Sequence, residues 1–141
     1  MKIAATISRY LLGFLFTVFG LNGFLHFMRL VQPANPVAVQ FLTAVSVSRF
    51  MGVVFLVQLI GGVLLLAGRF VPLAIAILGP VLLNILNYHL TMDPGSIGGA
   101  LVATILWAIL FLRNRSSFAG IFQARLEEDK NTWRLATSTE K

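Results

Sequence analysis

Long apolar stretches separated by single charged residues dominate the chain. The uncharged stretches cover residues 10–28, 50–68, 70–92 and 94–112, and they are bracketed by Arg9, Arg29, Arg49, Arg69, Asp93 and Arg113. A helix that rises about 1.5 Å per residue needs about 20 residues to cross about 30 Å of hydrocarbon. Backbone in lipid must satisfy its own hydrogen bonds, so each stretch should be helical. The pattern predicts four membrane-spanning helices, at about 8–28, 50–68, 70–91 and 96–112.

Short connections and small residues indicate how these helices pack. Arg69 alone separates the second stretch from the third, and Asp93-Pro94-Gly95 forms the next turn, so consecutive helices should be antiparallel. Every predicted span contains glycine, which allows close approach between helices in lipid. We therefore expect an all-α fold, in which residues 1–113 form an integral membrane four-helix bundle.

Two segments lie outside the predicted spans. Asn35 can cap a helix and Pro36 suits its first position, which predicts a short interfacial helix in the first outer loop. In the tail, residues 114–141, apolar side chains fall at helical spacing and predict a second interfacial helix; they are Phe118, Ile121, Phe122 and Leu126. Residues after Asp129 should fray, so the tail is expected to be cytoplasmic, amphipathic and partly disordered.

Composition excludes several classes of protein. The 141 residues are 57% hydrophobic and 11% charged, and none is cysteine. Soluble domains are about 45–50% apolar and about 25% charged, so this chain could not cover an aqueous surface. A disulfide-stapled domain, a thiolate metal site and membrane thiol–disulfide exchange all need cysteine and are excluded as well.

The positive charges orient the predicted bundle. Four spans place both termini on one side of the membrane, and cytoplasmic termini leave only Arg29 and Arg49 outside. This arrangement follows the positive-inside rule. The net charge of +6 is then explained by topology with some attraction to anionic lipid, and it calls for no nucleic-acid partner.

Polar residues within the spans collect in the outer half of the predicted bundle. They are Asn22, His26, Gln58, Asn84, Asn87 and His89. Asn22 should lie about 20 Å above Arg9, and Gln58 about 14 Å below Arg49. One interpretation is a ligand-binding pocket that is open to the outer face or outer leaflet. The other is a set of interhelical hydrogen bonds, each contributing about 0.6–2 kcal/mol.

The two histidines allow a further hypothesis. His26 and His89 lie on different predicted helices at similar depth, so they could ligate haem iron, with Asp93 orienting the ring of His89. Both also lie near the water boundary, where an unligated imidazole is stable. No carboxylate lies within a predicted span, so the sequence identifies no catalytic residues.

Motifs along the four stretches resemble a known family. Arg9 precedes FTVFGLNGFLHF, the second stretch contains QLIGGVLLLAGRF, and the third and fourth are joined through VPLAIAILGPVLLNILNYHLTMDPG. In this order, over about residues 9–113, they resemble the DoxX-like family of small bacterial integral membrane proteins. That family has an acidic residue before the glycine pair, where this chain has Gln58.

The resemblance implies a four-helix bundle in the bacterial inner membrane. Members are similar to the small subunit of thiosulfate:quinone oxidoreductase and to partners of oxidative-stress enzymes. The first functional hypothesis is an accessory or small-molecule-binding subunit for a quinone- or lipid-like ligand. Alternatives are a redox subunit that uses quinone or haem, a scaffold whose tail recruits a partner, and a transporter. Besides the lipid bilayer, the implied partners are a second copy of the chain or an oxidoreductase subunit.

Overall fold

The computed structural model describes residues 2–29 and 32–122, and within them every regular element is helical. Five α-helices follow in order: α1 Lys2–Leu25, α2 Pro36–Val47, α3 Met51–Ala67, α4 Val71–Thr91 and α5 Gly98–Arg113. Two 3-10 helices cover Pro94–Ser96 and Arg115–Phe122. The predicted all-α class is confirmed for the described part of the chain.

By length and composition, α1 and α4 could each cross a membrane. The helices α3 and α5 have 17 and 16 residues and are shorter than the predicted spans. Each adjoins another helix at a sharp bend, of 84° between α2 and α3 and 77° between α5 and the 3-10 helix after it. If each bent pair counts as one segment, up to four segments could cross.

Turn residues explain why α3 is short. Arg49 has a φ of 56° just before the helix, and Gly68 has a φ of 67° just after it. Both angles lie in the left-handed region, which a right-handed helix cannot include. The N–H of Gly68 still bonds back to the carbonyls of Leu64 and Leu65, as is typical of a glycine helix end.

The four longest helices form a closed ring of contacts. α1 packs against α3 and α5, and α4 also packs against α3 and α5. Large side chains from all four helices are fully buried between them: Leu12, Phe16, Leu65, Ile75, Leu78 and Leu110. Consecutive members α3, α4 and α5 follow each other through short turns, as the sequence predicts.

Glycines bring α1 and α3 into backbone contact. A Cβ on Gly62 would lie 2.6 Å from both N and Oγ1 of Thr17, and 2.9 Å from the carbonyl of Gly13. A Cβ on Gly20 would lie 2.8 Å from the backbone N of Leu59. Such distances are too short for any side chain, so the α1–α3 seam, formed around Gly13, Gly20 and Gly62, depends on the absence of side chains there.

The predicted helix in the first loop is present as α2. Asn35 caps it, because its side-chain oxygen accepts a hydrogen bond from Val37 N at 3.0 Å. The amide nitrogen of Asn35 also donates to the carbonyl of Met92 at 3.0 Å. Phe41 lies 6.0 Å from Tyr88 between ring centroids. These contacts attach α2 to the C-terminal end of α4.

The start of the tail differs from its predicted form. Arg115–Phe122 is a 3-10 helix, whose tighter winding changes which side chains share a face. Phe118 is buried and lies 5.2 Å from Phe111 between ring centroids, whereas Ile121 is 71% exposed. Leu126 and the predicted frayed end lie outside the described residues.

The seam predicts opposite effects for one substitution at two sites of α3. Gly62→Ala should destabilise the protein by about 1–3 kcal/mol, because α1 and α3 must separate. Gly52→Ala meets nothing within 4 Å and should stabilise the helix by up to about 1 kcal/mol. Thermal unfolding of both variants in detergent measures the difference. Equal shifts in melting temperature would show that the seam does not depend on Gly62.

Substitution can remove the two hydrogen bonds of the Asn35 side chain one at a time or together. Asn35→Asp keeps the capping oxygen and loses the donor to Met92, whereas Asn35→Ala loses both. We expect Ala to destabilise α2 by about 0.5–2 kcal/mol. The Asn35→Asp variant should preserve helix α2 but lose its hydrogen bond to the C-terminal end of α4. Hydrogen exchange of the α2 amides tests both outcomes, and exchange that is identical in Asp and wild type would contradict the docking role.

Candidate functional site

Five of the six predicted polar residues lie in the C-terminal part of α1 or α4 or just after α1, whereas Gln58 lies in the middle of α3. Burial divides the set further. Asn22 and Gln58 are buried, with 7% and 6% of their surfaces exposed. His89 is half-buried, and the others are exposed; these are His26, Asn84 and Asn87. The structure therefore does not enclose all six side chains together.

Asn22 closes the end of its own helix. Its side-chain oxygen accepts a hydrogen bond from Met28 N at 2.6 Å, and its carbonyl accepts one from His26 N at 2.9 Å. His26 follows the helix with a φ of 52°, which turns the chain away. The buried amide of Asn22 thus has a structural partner within the same turn, and its side-chain oxygen is already occupied.

Gln58 is in a different situation. Its Oε1 is buried and has no hydrogen-bond partner among the described residues. The adjacent Leu59 lies against Gly20, so Gln58 stands at the level of the α1–α3 seam. A buried amide without a hydrogen bond costs about 1–3 kcal/mol by mutational measures. The side-chain carbonyl oxygen of Gln58 can therefore accept a hydrogen bond that no described residue donates.

Thr17 provides a second acceptor that the sequence analysis did not include in the site. Its Oγ1 is also buried without a partner among the described residues, and it lies beside Gly62 in the α1–α3 seam. A mid-helix threonine usually bonds back to a carbonyl of the preceding turn, so nothing in its sequence position distinguishes it. The structure thus adds Thr17 to Gln58 as a buried polar atom of the same seam.

Asn84 and Asn87 lie on a face of α4 that the other described helices leave open. Leu83, beside Asn84, is 68% exposed. The carbonyl of Asn87 accepts a hydrogen bond from Thr91 Oγ1 at 2.7 Å, but neither side-chain amide has a partner within the described chain. These two amides are directed outward and are separated from the buried oxygen of Gln58.

His89 belongs to a small cluster at the turn after α4. Its Nδ1 lies 3.1 Å from Ser96 Oγ and 3.4 Å from the carbonyl of Asp93. Ser96 Oγ also donates to the carboxylate of Asp93. The predicted influence of Asp93 on the ring therefore runs through Ser96 and through a backbone carbonyl. Since Ser96 gives its proton to the carboxylate, Nδ1–H of His89 can donate to both oxygens.

The surroundings of His26 and His89 can be compared with those of a metal centre. Among the described residues no group of three or more His, Asp or Glu side chains could hold a metal ion. His26 and His89 are exposed and half-buried, at the ends of α1 and α4. Haem ligation by this pair stays a prediction.

The chemistry that the site supports is binding through hydrogen bonds. The buried seam offers two oxygen atoms, one of an amide and one of a hydroxyl, in apolar surroundings. Neither group titrates near neutral pH, so neither can act as a general acid or base. A ligand that brings a hydroxyl or N–H group would satisfy the amide oxygen.

Comparisons of the chain with protein-family models, curated proteins and solved structures gave no match. The resemblance to DoxX-like proteins therefore rests on the motifs in residues 9–113 themselves. For function, the most informative observations are the unpartnered oxygen atoms of Thr17 and Gln58.

Proposed function

We propose that the chain is a DoxX-like integral membrane protein of the bacterial inner membrane, and that it is an accessory subunit that binds a quinone- or lipid-like molecule. In this proposal α1, α3, α4 and α5 form an antiparallel four-helix bundle with cytoplasmic termini. The ring of contacts among these helices and the length of α1 and α4 support it.

The ends of the helices support the orientation. Arg9 and Arg113 lie at one end, whereas Arg49 lies at the other. The positive-inside rule assigns the first end to the cytoplasm. The uncharged helix α2 then lies at the outer boundary, where its exposed Val37 and Val47 meet the interfacial region of the lipid.

The observation that carries the binding proposal is the buried oxygen of Gln58. An acceptor in an apolar seam calls for a donor, and a ligand with an apolar body and a polar head supplies one without charge. The hydroxyl of a quinol would donate to Oε1. In the oxidised form, the quinone carbonyl would accept a hydrogen bond from the amide nitrogen once the amide has rotated.

Gln58 also sets the kind of function that we propose. The resemblance puts an acidic residue at this position, and an amide cannot exchange a proton there. The amide can still hold a polar head in place. Binding on behalf of a partner oxidoreductase subunit is therefore a better fit than acid–base chemistry in this chain.

The binding proposal is tested by Gln58→Leu, with Gln40→Leu on the exposed surface of α2 as the matched control. We expect Gln58→Leu to weaken binding of a short-chain ubiquinol about five- to tenfold, which corresponds to the loss of one hydrogen bond. The measurement is a titration of the purified protein, together with mass spectrometry of the molecules that co-purify.

Two results would count against the proposal. One is unchanged ubiquinol affinity in Gln58→Leu. The other is a higher melting temperature in Gln58→Leu with the same co-purifying molecules, because that would mean the buried oxygen of Gln58 is merely a cost to stability.

The exposed amides of α4 fit a contact with a second copy of the chain. Asn84 should lie about 10 Å from the outer end of α4, within the hydrocarbon, where an unpaired amide is unfavourable. An amide is both donor and acceptor, so two copies of Asn84 related by a two-fold axis can satisfy each other. Such bonds contribute about 0.6–2 kcal/mol in membranes.

This contact predicts that Asn84→Leu lowers self-association in vesicles, whereas Asn84→Gln retains it. Energy transfer between donor- and acceptor-labelled copies measures the association. If Asn84→Leu gives the same energy transfer as wild type at every protein-to-lipid ratio, the contact does not involve Asn84.

A further inference from the structure

A cavity of about 340 Å³ opens at the end of the helices opposite the turn between α4 and α5. It lies between the N-terminal part of α1, the start of α4 and the end of α5. Its polar lining comes from Lys2, Thr6, Arg9, Arg113 and Asn114, and its apolar lining from Ala5, Val71 and Leu110.

The charge of this inner cavity is strongly one-sided. Lys2, Arg9 and Arg113 are cations, whereas the described residues contain one carboxylate, that of Asp93. Asp93 follows the far end of α4, whose first residue, Val71, lines the cavity. No carboxylate among the described residues therefore faces the three cations, and an anion would relieve their mutual repulsion.

The guanidinium of Arg9 is positioned by contacts within the protein. It is half-buried, and its guanidinium carbon lies 4.5 Å from the centroid of the Tyr10 ring. The guanidinium also packs against Gly68, where a Cβ would collide with Nη1. A planar guanidinium whose position is fixed by two neighbours is well suited to bind the oxygens of a phosphate group.

The start of α4 adds to the positive electrostatic potential of the cavity. Phe70, which precedes the helix, supplies no side-chain acceptor to the first-turn amides. The N-terminus of a helix carries partial positive charge, so it favours an anion in the cavity beside Val71.

We propose that this inner cavity binds a phosphate group, and that the phosphate is the headgroup of an anionic phospholipid of the cytoplasmic leaflet. The three cations would bind the phosphate oxygens, and the apolar lining would contact the glycerol and the first carbons of the acyl chains. Basic pockets between helices on the cytoplasmic side are suited to such headgroups. The inference goes beyond ligand binding at Gln58 and does not depend on it.

The experiment uses the full-length protein in neutral detergent. Dioctanoyl phosphatidic acid, dioctanoyl phosphatidylcholine and inorganic phosphate are added in separate titrations, and the rise in melting temperature gives each affinity. We expect the strongest binding for phosphatidic acid. Phosphatidylcholine has the same acyl chains but a headgroup without net charge, so it measures the contribution of the chains without a net negative charge. Inorganic phosphate has the negative charge but no chains, so it distinguishes a site for a free anion from a site for a lipid headgroup.

Two double variants remove equal charge at opposite ends of the helices. Lys2→Gln with Arg113→Gln should weaken phosphatidic acid binding about fivefold for each cation removed. Arg29→Gln with Arg49→Gln, at the other end, should leave it within about twofold of wild type. All four side chains are exposed, so both variants are expected to fold. Gln58→Leu should leave this binding unchanged, whether or not quinol binds at Gln58.

Three results would overturn the proposal. Equal weakening in both double variants would show a general effect of net charge. Inorganic phosphate that binds as tightly as phosphatidic acid would show a free-anion site. Binding that appears in the full chain only after Glu127→Gln, Glu128→Gln and Asp129→Asn would show that the chain's own acidic segment occupies the cavity.

Discussion

Backbone contact between α1 and α3 is the constraint on which the other features depend. Gly20 and Gly62 allow the two helices to approach until no side chain fits between them. This closeness buries Thr17 and Gln58 so fully that their oxygens lose contact with solvent. The helix α1 continues past this contact as one element of 24 residues, and its Arg9 lies against Gly68 at the C-terminal end of α3.

The sequence predicts the helices well because their signals are local. Bracketing charges and helix-capping residues such as Asn35 are readable without knowledge of neighbouring helices, and α2 begins where Asn35 and Pro36 place it. The ends of α3 are less readable. Arg49 adopts a left-handed conformation that a non-glycine residue seldom adopts, so its identity gives no signal for the turn between α2 and α3.

The candidate site is only half predictable for a related reason. Depth follows from residue count along a helix: Asn84 lies in the C-terminal half of α4, and Gln58 lies in the middle of α3. Orientation depends on which neighbours a helix contacts. α4 packs against α3 and α5, and this turns Asn84 outward while α3 turns Gln58 inward. Nothing in the sequence marks Thr17 as a site residue, because a threonine within a helix usually bonds to a carbonyl of the preceding turn, and only the structure shows that its hydroxyl lacks a partner among the described residues.

Gln58 places a polar atom in the α1–α3 seam without placing a charge there. A carboxylate at position 58 would need a proton or a cation beside it, because burial of an unpaired charge is far costlier than burial of an amide. Among the described residues the nearest cations in α3's surroundings are at its ends, beyond Met51 and Ala67. Glutamine keeps a polar atom in the seam without that requirement. The helices α1 and α3 can therefore pack around Gln58 as closely as Gly62 permits, with an unpartnered oxygen atom but no charge in the seam.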